Sequence, residues 1–145
     1  MPRLLIIGAH PDDAEFGAGG LIAKYTGAGY AVKAITVTNG NAGHYAVPPA
    51  DLAKRRHAEA RAAADKGGFE IEVWDNPDAQ LAPTIKIRGE VIRAMRRFAP
   101  DLVLTHRAND YHPDHRATGQ LVQDASYLVR VPNLDRKSTR LNSSH

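Results

Sequence analysis

Cysteine is absent from this 145-residue sequence. Its absence excludes disulfide bridges, thiolate metal sites and cysteine nucleophiles. No apolar run reaches membrane-spanning length, so no membrane partner is expected. Residues 1–3 lead directly into a short apolar run, without the cleavage region of a signal peptide, which predicts a cytoplasmic location. The composition, 43% hydrophobic and 24% charged, is typical of one globular domain with a real core.

A large excess of charge of one sign is also missing. The formal net charge is +3, and residues 135–145 carry three of the 19 basic residues but only one of the 16 acidic ones. Without this segment the net charge is +1, so the sequence indicates no nucleic-acid partner.

The C-terminal segment has an unusual sequence. Residues 135–145 (DRKSTRLNSSH) match the translation of a common sequencing-library adapter read in frame. We therefore predict that this segment is non-native, and we exclude it from fold reasoning. The expected domain is residues 1–134, and the natural sequence is expected to stop being reported near Leu134, which makes the chain a truncated fragment.

Four short apolar runs alternate with segments of helical periodicity. The runs are residues 3–8 (RLLIIG), 31–38 (AVKAITVT), 69–74 (FEIEVW) and 101–105 (DLVLT). Such alternation predicts an α/β fold, a Rossmann-like open parallel sheet with helices on both faces. The first and fourth runs are the most continuously apolar, so we expect two buried central strands that flank the point where the strand order reverses. The alternating third run suits a strand nearer the sheet edge.

The helix that follows the third run has the clearest amphipathic pattern. We expect Thr84 to cap it. Its expected core face comprises Ile87, Val91, Met95 and Phe98. The basic residues of this helix, Arg96 among them, are expected to form a solvated face.

Polar clusters follow the first and fourth runs. His10-Pro11-Asp12-Asp13 comes directly after the first, and His112-Pro113-Asp114-His115 comes shortly after the fourth. The carboxyl ends of parallel strands meet at one edge of a sheet, so the two clusters are expected to face each other across one crevice. Imidazole nitrogen with carboxylate oxygen is a donor set that zinc prefers. Pro113 suits the first position of a helix, which would place His115 in the first turn with its side chain directed back toward the loop.

The spacing suggests a role for each polar residue. A catalytic zinc site has three protein ligands and one open position, and His10, Asp13 and His115 supply two nitrogens and one carboxylate. Asp12 and His112 are then left for acid–base chemistry. We expect one zinc ion per chain, with Fe2+ or Mn2+ as alternatives. Taken singly, a loop histidine is more often surface decoration, and adjacent aspartates are more often a turn or a cap. Further polar groups crowd the second loop, namely His106, Asn109 and Asp110, and we expect Asp110 to bind substrate or support the site.

Three motifs in order resemble the PIG-L/LmbE-like family of zinc-dependent N-deacetylases. Residues 9–15 match A-H-P-D-D-x-E, residues 112–115 match H-P-D-H, and Arg56 with Glu59 fits an R-x-x-E pair. The resemblance extends over residues 3–134. It implies a small-molecule substrate, an N-acetylated amino-sugar conjugate, and a fold whose C-terminal part is missing here. A homo-oligomer is possible.

The resemblance also implies residue roles. The family's zinc ligands fall on His10, Asp13 and His115, in agreement with the spacing. Its general base falls on Asp12. The histidine that stabilises the oxyanion or protonates the leaving group falls on His112, and Asp114 is expected to orient a histidine.

Three further positions each allow two roles. Arg56 either forms a surface ion pair with Glu59 or binds substrate near the cleft. His44 and Asp78 lie on loops above the same sheet edge and are either pocket residues or ordinary polar loop residues.

Two alternative functions have to be weighed. A nucleotide-binding Rossmann-type oxidoreductase needs G-x-G-x-x-G after the first strand, and His10 stands where the second glycine belongs. The other alternative is a catalytically inactive truncated fragment.

Overall fold

The computed structural model describes residues 2–138. Strands and helices alternate along the chain as β1 (Arg3–Gly8), α1 (Asp13–Gly27), β2 (Ala31–Thr38), α2 (Pro49–Gly67), β3 (Glu70–Asn76), α3 (Ile85–Phe98), β4 (Leu102–Thr105) and α4 (Pro113–Leu128). The α/β alternation predicted from the sequence is therefore confirmed.

The four strands form one parallel sheet in the order β3-β2-β1-β4. From β1 the chain moves to β2 and β3 on one side, and then returns to place β4 on the other side. The strand order therefore reverses between β1 and β4, as expected. Leu4 pairs with Leu102 and Ile7 with Thr105, so the carboxyl ends of these two strands lie at one edge of the sheet.

Helices cover both faces of the sheet. Leu5 and Ile7 of β1 pack in one hydrophobic cluster with buried residues of α3 and α4. Leu4 and Ile6 point to the opposite face and pack with buried residues of α1 and α2. The strand period of two thus divides an entirely apolar run between two cores, which is why β1 reads as continuously hydrophobic.

The expectation that β4 is as buried as β1 is wrong. Leu102 is 41% exposed, and Val103 and Leu104 are only partly buried. Within residues 2–138, β4 has a strand partner on one side only. Its apolar side chains pack against the helices on the two faces of the sheet, but its open edge leaves the strand accessible to water. The prediction that β3 lies at an edge is confirmed.

The amphipathic pattern of α3 is confirmed with one exception. The Thr84 side chain accepts a hydrogen bond from the Ile87 backbone N–H, and the four predicted core residues are buried. Arg96, however, is 3% exposed and donates to the carbonyls of Val129 and Val131 beyond the end of α4. It was expected to face solvent, but it instead binds backbone carbonyl groups that follow α4.

None of the helices formed by residues 2–138 is both long and apolar enough to cross a bilayer. Of the segment predicted to be non-native, residues 135–138 are described, and 139–145 lie outside the described residues. The origin of that segment stays a prediction.

Candidate metal centre

The loop after β1 is fixed by backbone hydrogen bonds. The Ala9 carbonyl accepts from both the backbone N–H and the hydroxyl of Thr38, at 2.8 and 2.7 Å. Oδ2 of Asp13 accepts from the backbone N–H groups of Ala9 and His10, at 3.0 and 2.8 Å. A Cβ on Gly8 would lie 2.8 Å from Cβ of Asp13, so this close return of the aspartate requires glycine. Asp13 is therefore folded back over its own loop and held there.

The loop after β4 is ordered by the start of α4. His112 is the N-cap, and its Nδ1 accepts from the Asp114 backbone N–H at 3.0 Å. Oδ1 of Asp110 accepts from the His112 backbone N–H at 3.0 Å. Pro113 occupies the first helical turn, as predicted. A Cβ on Gly119 would lie 2.6 Å from the His106 carbonyl oxygen, so α4 lies directly against this loop.

The structure brings the three predicted metal ligands together. Nδ1 of His10 lies 3.4 Å from Oδ2 of Asp13, and Nε2 of His115 lies 3.5 Å from the same oxygen. The three residues form one of the groups whose donor atoms all lie within 4.8 Å of one another. Two imidazole nitrogens and one carboxylate from two loops thus converge, which is the donor set and number of a catalytic zinc site.

The other ring nitrogen of each histidine contacts a carboxylate. Nε2 of His10 lies 2.9 Å from Oδ2 of Asp114 and 3.0 Å from Oδ1 of Asp78. Nδ1 of His115 lies 3.0 Å from Oδ1 of Asp110. Histidines that bind metals usually donate their second ring N–H to such a partner, which fixes the tautomer and the ring orientation. The residues present therefore fit a metal ion, and Asp114 and Asp110 lie where orienting residues belong.

Asp114 is the most deeply buried of these carboxylates, at 1% exposed. It also accepts from the backbone N–H groups of Ala79 and Leu81, at 2.8 and 3.2 Å. One side chain thus ties α4, His10 and the loop between β3 and α3 together. Burial opposes ionisation, but the contact with His10 and these two backbone donors outweigh it and lower the pKa of Asp114.

The two candidate ligand histidines differ in their electrostatic surroundings. Burial alone would lower the pKa of His10, but the hydrogen bonds to Asp13 and Asp114 and the charge of Asp78 raise it to about 9. For His115, burial and the neighbouring His106 outweigh the nearby carboxylates and lower the pKa.

The pKa values of two carboxylates beside these histidines, Asp13 and Asp110, are lowered. Burial would raise the pKa of Asp13, yet hydrogen bonds from His10 and His106 hold it well below its ordinary range. The backbone hydrogen bond from His112 and the contact with His115 lower the pKa of Asp110. Both groups are thus held as anions, the form that binds a cation.

Asp78 and His106 contact the candidate metal ligands more directly than the sequence indicated. Asp78, one of the two possible pocket residues, contacts His10 directly. His106 was noted only as a polar neighbour, but its Nε2 lies 3.2 Å from Oδ2 of Asp13 and its ring stacks on His115 at 3.9 Å. Only its place directly after β4 could have indicated this role. Because of these contacts, two further groups also have close donor atoms: His106, Asp110 and His115, and His10, Asp78, His112 and Asp114.

The predicted acid–base residues lie at the same place. Asp12 and His112 line a cleft of about 350 Å3 together with the three candidate ligands. The pKa of Asp12 is raised by partial withdrawal from water and by Asp13, although Arg56 opposes the shift. His44 also lines the cleft, as does Tyr111, which is 83% exposed beside His112.

Arg56 does not form the surface ion pair. Its neighbour Arg55 pairs with Glu59, with Nε 3.2 Å from Oε1. Arg56 points into the cleft, where its Nη2 lies 2.6 Å from the Pro11 carbonyl oxygen and 3.4 Å from Oδ2 of Asp12. Of the two roles considered for Arg56, only the one near the cleft agrees with this position.

Comparison with known proteins gives a consistent picture. Residues 5–126 match the family model described as PIG-L, GlcNAc-PI de-N-acetylase. A diacetylchitobiose deacetylase of Thermococcus kodakarensis is 34% identical over 140 residues, which cover 92% of this chain and 52% of the relative. The solved N,N'-diacetylchitobiose deacetylase of Pyrococcus horikoshii superimposes with a TM-score of 0.88 at 28% identity, over 96% of this chain and 54% of that one.

Another relative that matches most of this chain is named for a different reaction. The 4-oxalmesaconate hydratase of Pseudomonas putida is 29% identical over 135 residues, which cover 88% of this chain and 52% of the relative. The chain thus spans about half the length of these curated relatives.

Proposed function

The chain belongs to the PIG-L family of GlcNAc-PI de-N-acetylases, and from this premise we propose that it carries the reacting groups of a metal-dependent N-deacetylase. The proposed reaction is hydrolysis of the acetamide of an N-acetylated amino sugar or glycoconjugate, which yields acetate and a free amine. The observation that carries the proposal is the convergence of His10, Asp13 and His115 in one cleft with Asp12 and His112.

One zinc ion would be held by His10, Asp13 and His115, with Fe2+ or Mn2+ as the alternatives that such ligands accept. When bound, such an ion makes water more acidic and polarises the amide carbonyl. Asp114 and Asp110 hold the two histidine rings in place through their second nitrogens.

Asp12 is the proposed general base. Both carboxylates line the cleft, but Asp13 accepts from the backbone N–H groups of its own loop and belongs to the proposed ligand set, whereas Asp12 does neither. Asp12 accepts a proton from the water that attacks the acetyl carbon, and then delivers it to the nitrogen as the carbon–nitrogen bond breaks. A pKa above the ordinary aspartate value suits a group that must both accept and release a proton.

His112 is the proposed hydrogen-bond donor to the oxyanion. Its Nδ1 accepts from the Asp114 backbone N–H, so in the neutral ring the proton is on Nε2. Nε2–H is then available to donate to the carbonyl oxygen as that oxygen becomes negative. Losing one such donor typically lowers the rate by about 10²–10³-fold.

The charges of the cleft favour a neutral substrate. Four carboxylates line it, those of Asp12, Asp13, Glu59 and Asp78. Its two arginines are already engaged, Arg55 with Glu59 and Arg56 with Pro11 and Asp12. With the charges of the metal ion and of the two arginines included, these carboxylates leave the cleft close to neutral, which suits the uncharged hydroxyl groups of a sugar.

The similarity to a hydratase supplies a second candidate function. In that case water would add to a carbon–carbon double bond of a polycarboxylate. Such a substrate would have only the metal ion to pair with, because the two arginines of this cleft already have carboxylate or carbonyl partners. The deacetylase proposal is therefore the better supported of the two. Homo-oligomer formation and a cytoplasmic location stay predictions.

The test is the variant Asp12→Asn with N,N'-diacetylchitobiose as substrate. The zinc-loaded protein should release acetate and expose a primary amine. Asp12→Asn should keep zinc but lose about 10²–10⁴-fold in turnover, the usual contribution of a general base. Zinc content of both proteins is measured by elemental analysis, so that loss of metal and loss of the base are distinguished.

Two results would contradict the proposal. One is normal acetate release by Asp12→Asn. The other is a folded, zinc-loaded protein that releases no acetate from any N-acetylated sugar. Hydration of 4-oxalmesaconate by the same protein would select the second candidate, and no reaction of either kind would indicate an inactive fragment.

A further inference from the structure

Asp12 has an unusual backbone conformation. Its φ of 90° and ψ of −16° lie in the left-handed region, which disfavours residues other than glycine. It precedes the first residue of α1, and its carbonyl accepts from the Phe16 backbone N–H at 2.9 Å. Strained residues of this kind persist only where surrounding contacts hold them. Contacts from surrounding residues must therefore hold Asp12 in this conformation.

Arg56 supplies such contacts from α2. Its Nη2 donates to the Pro11 carbonyl oxygen at 2.6 Å and lies 3.4 Å from Oδ2 of Asp12. The Pro11 carbonyl belongs to the peptide group that precedes Asp12. One guanidinium group therefore contacts both the backbone that sets the φ of Asp12 and the carboxylate that Asp12 presents to the cleft.

The path of the Arg56 side chain is closely confined. It passes Gly40, whose φ is 71°. A Cβ at that position would lie 3.1 Å from Cδ of Pro11 and 3.3 Å from Nε of Arg56. Nε of Arg56 is buried and makes no hydrogen bond with any of residues 2–138. The side chain gives up this hydrogen bond while its terminal nitrogen reaches Pro11 and Asp12.

We propose that Arg56 is a positioning residue that holds Asp12 in its strained, reactive orientation. This inference rests on the proposed function, because it is Asp12 that must face the attacking water. Arg56, Gly40 and Pro11 form a clamp around the Pro11–Asp12 peptide. A lysine offers a single compact ammonium group, which cannot reproduce the planar, fixed geometry of the guanidinium.

Positioning and substrate binding predict different kinetics. If Arg56 only bound a sugar hydroxyl in both ground and transition states, its loss would raise KM and leave kcat unchanged. If it positions Asp12, its loss lowers kcat and leaves KM unchanged, because the substrate still binds but the base is misplaced. A displacement of about 1 Å can lower a rate by about 10²-fold.

The kinetic experiment compares Arg56→Ala and Arg56→Lys with Arg61→Ala, using zinc-loaded protein and N,N'-diacetylchitobiose. Arg61 is an exposed arginine on the same helix, so its variant removes the same charge without touching the clamp. Arg56→Ala should lower kcat about 10²-fold with unchanged KM and zinc content. Arg56→Lys should recover only part of the loss, and Arg61→Ala should resemble the original protein.

A second readout does not depend on activity. Asp12→Gly removes the strain, because glycine adopts positive φ freely. In the original protein this gain is offset by loss of the contact with Arg56, whereas in Arg56→Ala there is no such contact to lose. Asp12→Gly should therefore raise the Tm more in Arg56→Ala than in the original protein, in a thermal double-mutant cycle.

Different outcomes would contradict the positioning role of Arg56 and the proposed function. A raised KM with unchanged kcat, or equal Tm shifts of Asp12→Gly in the two backgrounds, would overturn the positioning role. Absence of acetate release from the original protein would instead contradict the proposed function, while the thermal cycle would still test the clamp.

Discussion

β1 and β4 each end in one half of the candidate metal centre, yet they are held in the fold in different ways. Leu4 of β1 is fully buried, whereas its register partner Leu102 of β4 is 41% exposed. β1 lies between two strands, and β4 pairs with β1 alone among the described strands. The two strands that support this site are therefore not equally buried.

The loops that follow the two strands compensate for this difference. The β1 loop is anchored on β2, where Ala9 accepts two hydrogen bonds from Thr38. The β4 loop depends on side chains instead, because Asp110 and His112 organise it against the first turn of α4. The first half of the centre is thus positioned by the sheet, and the second half by a helix cap.

Zinc binding should distinguish a metal ligand from a residue that only orients a ligand. Asp13→Ala removes a donor held by the β1 loop and should leave no measurable bound zinc. Asp110→Ala removes only the partner of His115 in the β4 loop, so zinc should still bind, about 10–100-fold more weakly. Elemental analysis and competition with a chelator measure both effects.

Asp101→Ala is the control for these two variants. Asp101 precedes β4 at the far end of the sheet, where it accepts from the Arg3 backbone N–H at 2.7 Å. Its loss should leave zinc binding unchanged. Equal zinc affinities for Asp13→Ala and Asp110→Ala would show that the two loops do not divide the roles in this way.

A smaller effect tests the burial of the two strands. Leu4→Ala should lower the free energy of unfolding by about 2–5 kcal/mol, the range for a leucine removed from a packed core. Leu102→Ala should cost about 1 kcal/mol or less, because much of that side chain already contacts water. Urea unfolding of both variants measures the difference. Similar losses would mean that β4 is as buried as β1 in solution.

Much of this arrangement could be predicted from the sequence because it depends on the hydrophobic period of each segment and on the order of the segments along the chain. The alternation of strands and helices, the reversal between β1 and β4, and the convergence of His10, Asp13 and His115 all follow from those patterns. The exposed edge of β4 could not be predicted. A run such as residues 102–105 is equally apolar in a central strand and in an edge strand whose faces are covered by helices.

The direction of individual side chains also could not be predicted from the sequence. Arg55 and Arg56 both lie at helical spacing from Glu59, and only the orientation of α2 on the sheet decides which one pairs with Glu59 and which one reaches Asp12. Asp78 lies in a segment without periodicity, so its contact with His10 depends on how the loop after β3 folds over the site. These are contacts between distant segments, and local sequence carries little information about them.

In metal-free protein, prepared with a chelator, His10 and His115 should affect stability in opposite pH ranges. The pKa of His10 is raised from 6.5 to about 9, so its contribution to stability is complete below pH 6.5 and is lost as the pH rises toward 9. The pKa of His115 is lowered, so its contribution is complete above pH 6.5 and is lost as the pH falls below it. Tm measured against pH should therefore decline on both sides, with His10→Gln removing the alkaline decline and His115→Gln weakening the acidic one. An alkaline decline that persists in His10→Gln would mean that Asp13, Asp114 and Asp78 do not hold the proton of His10 as the geometry indicates.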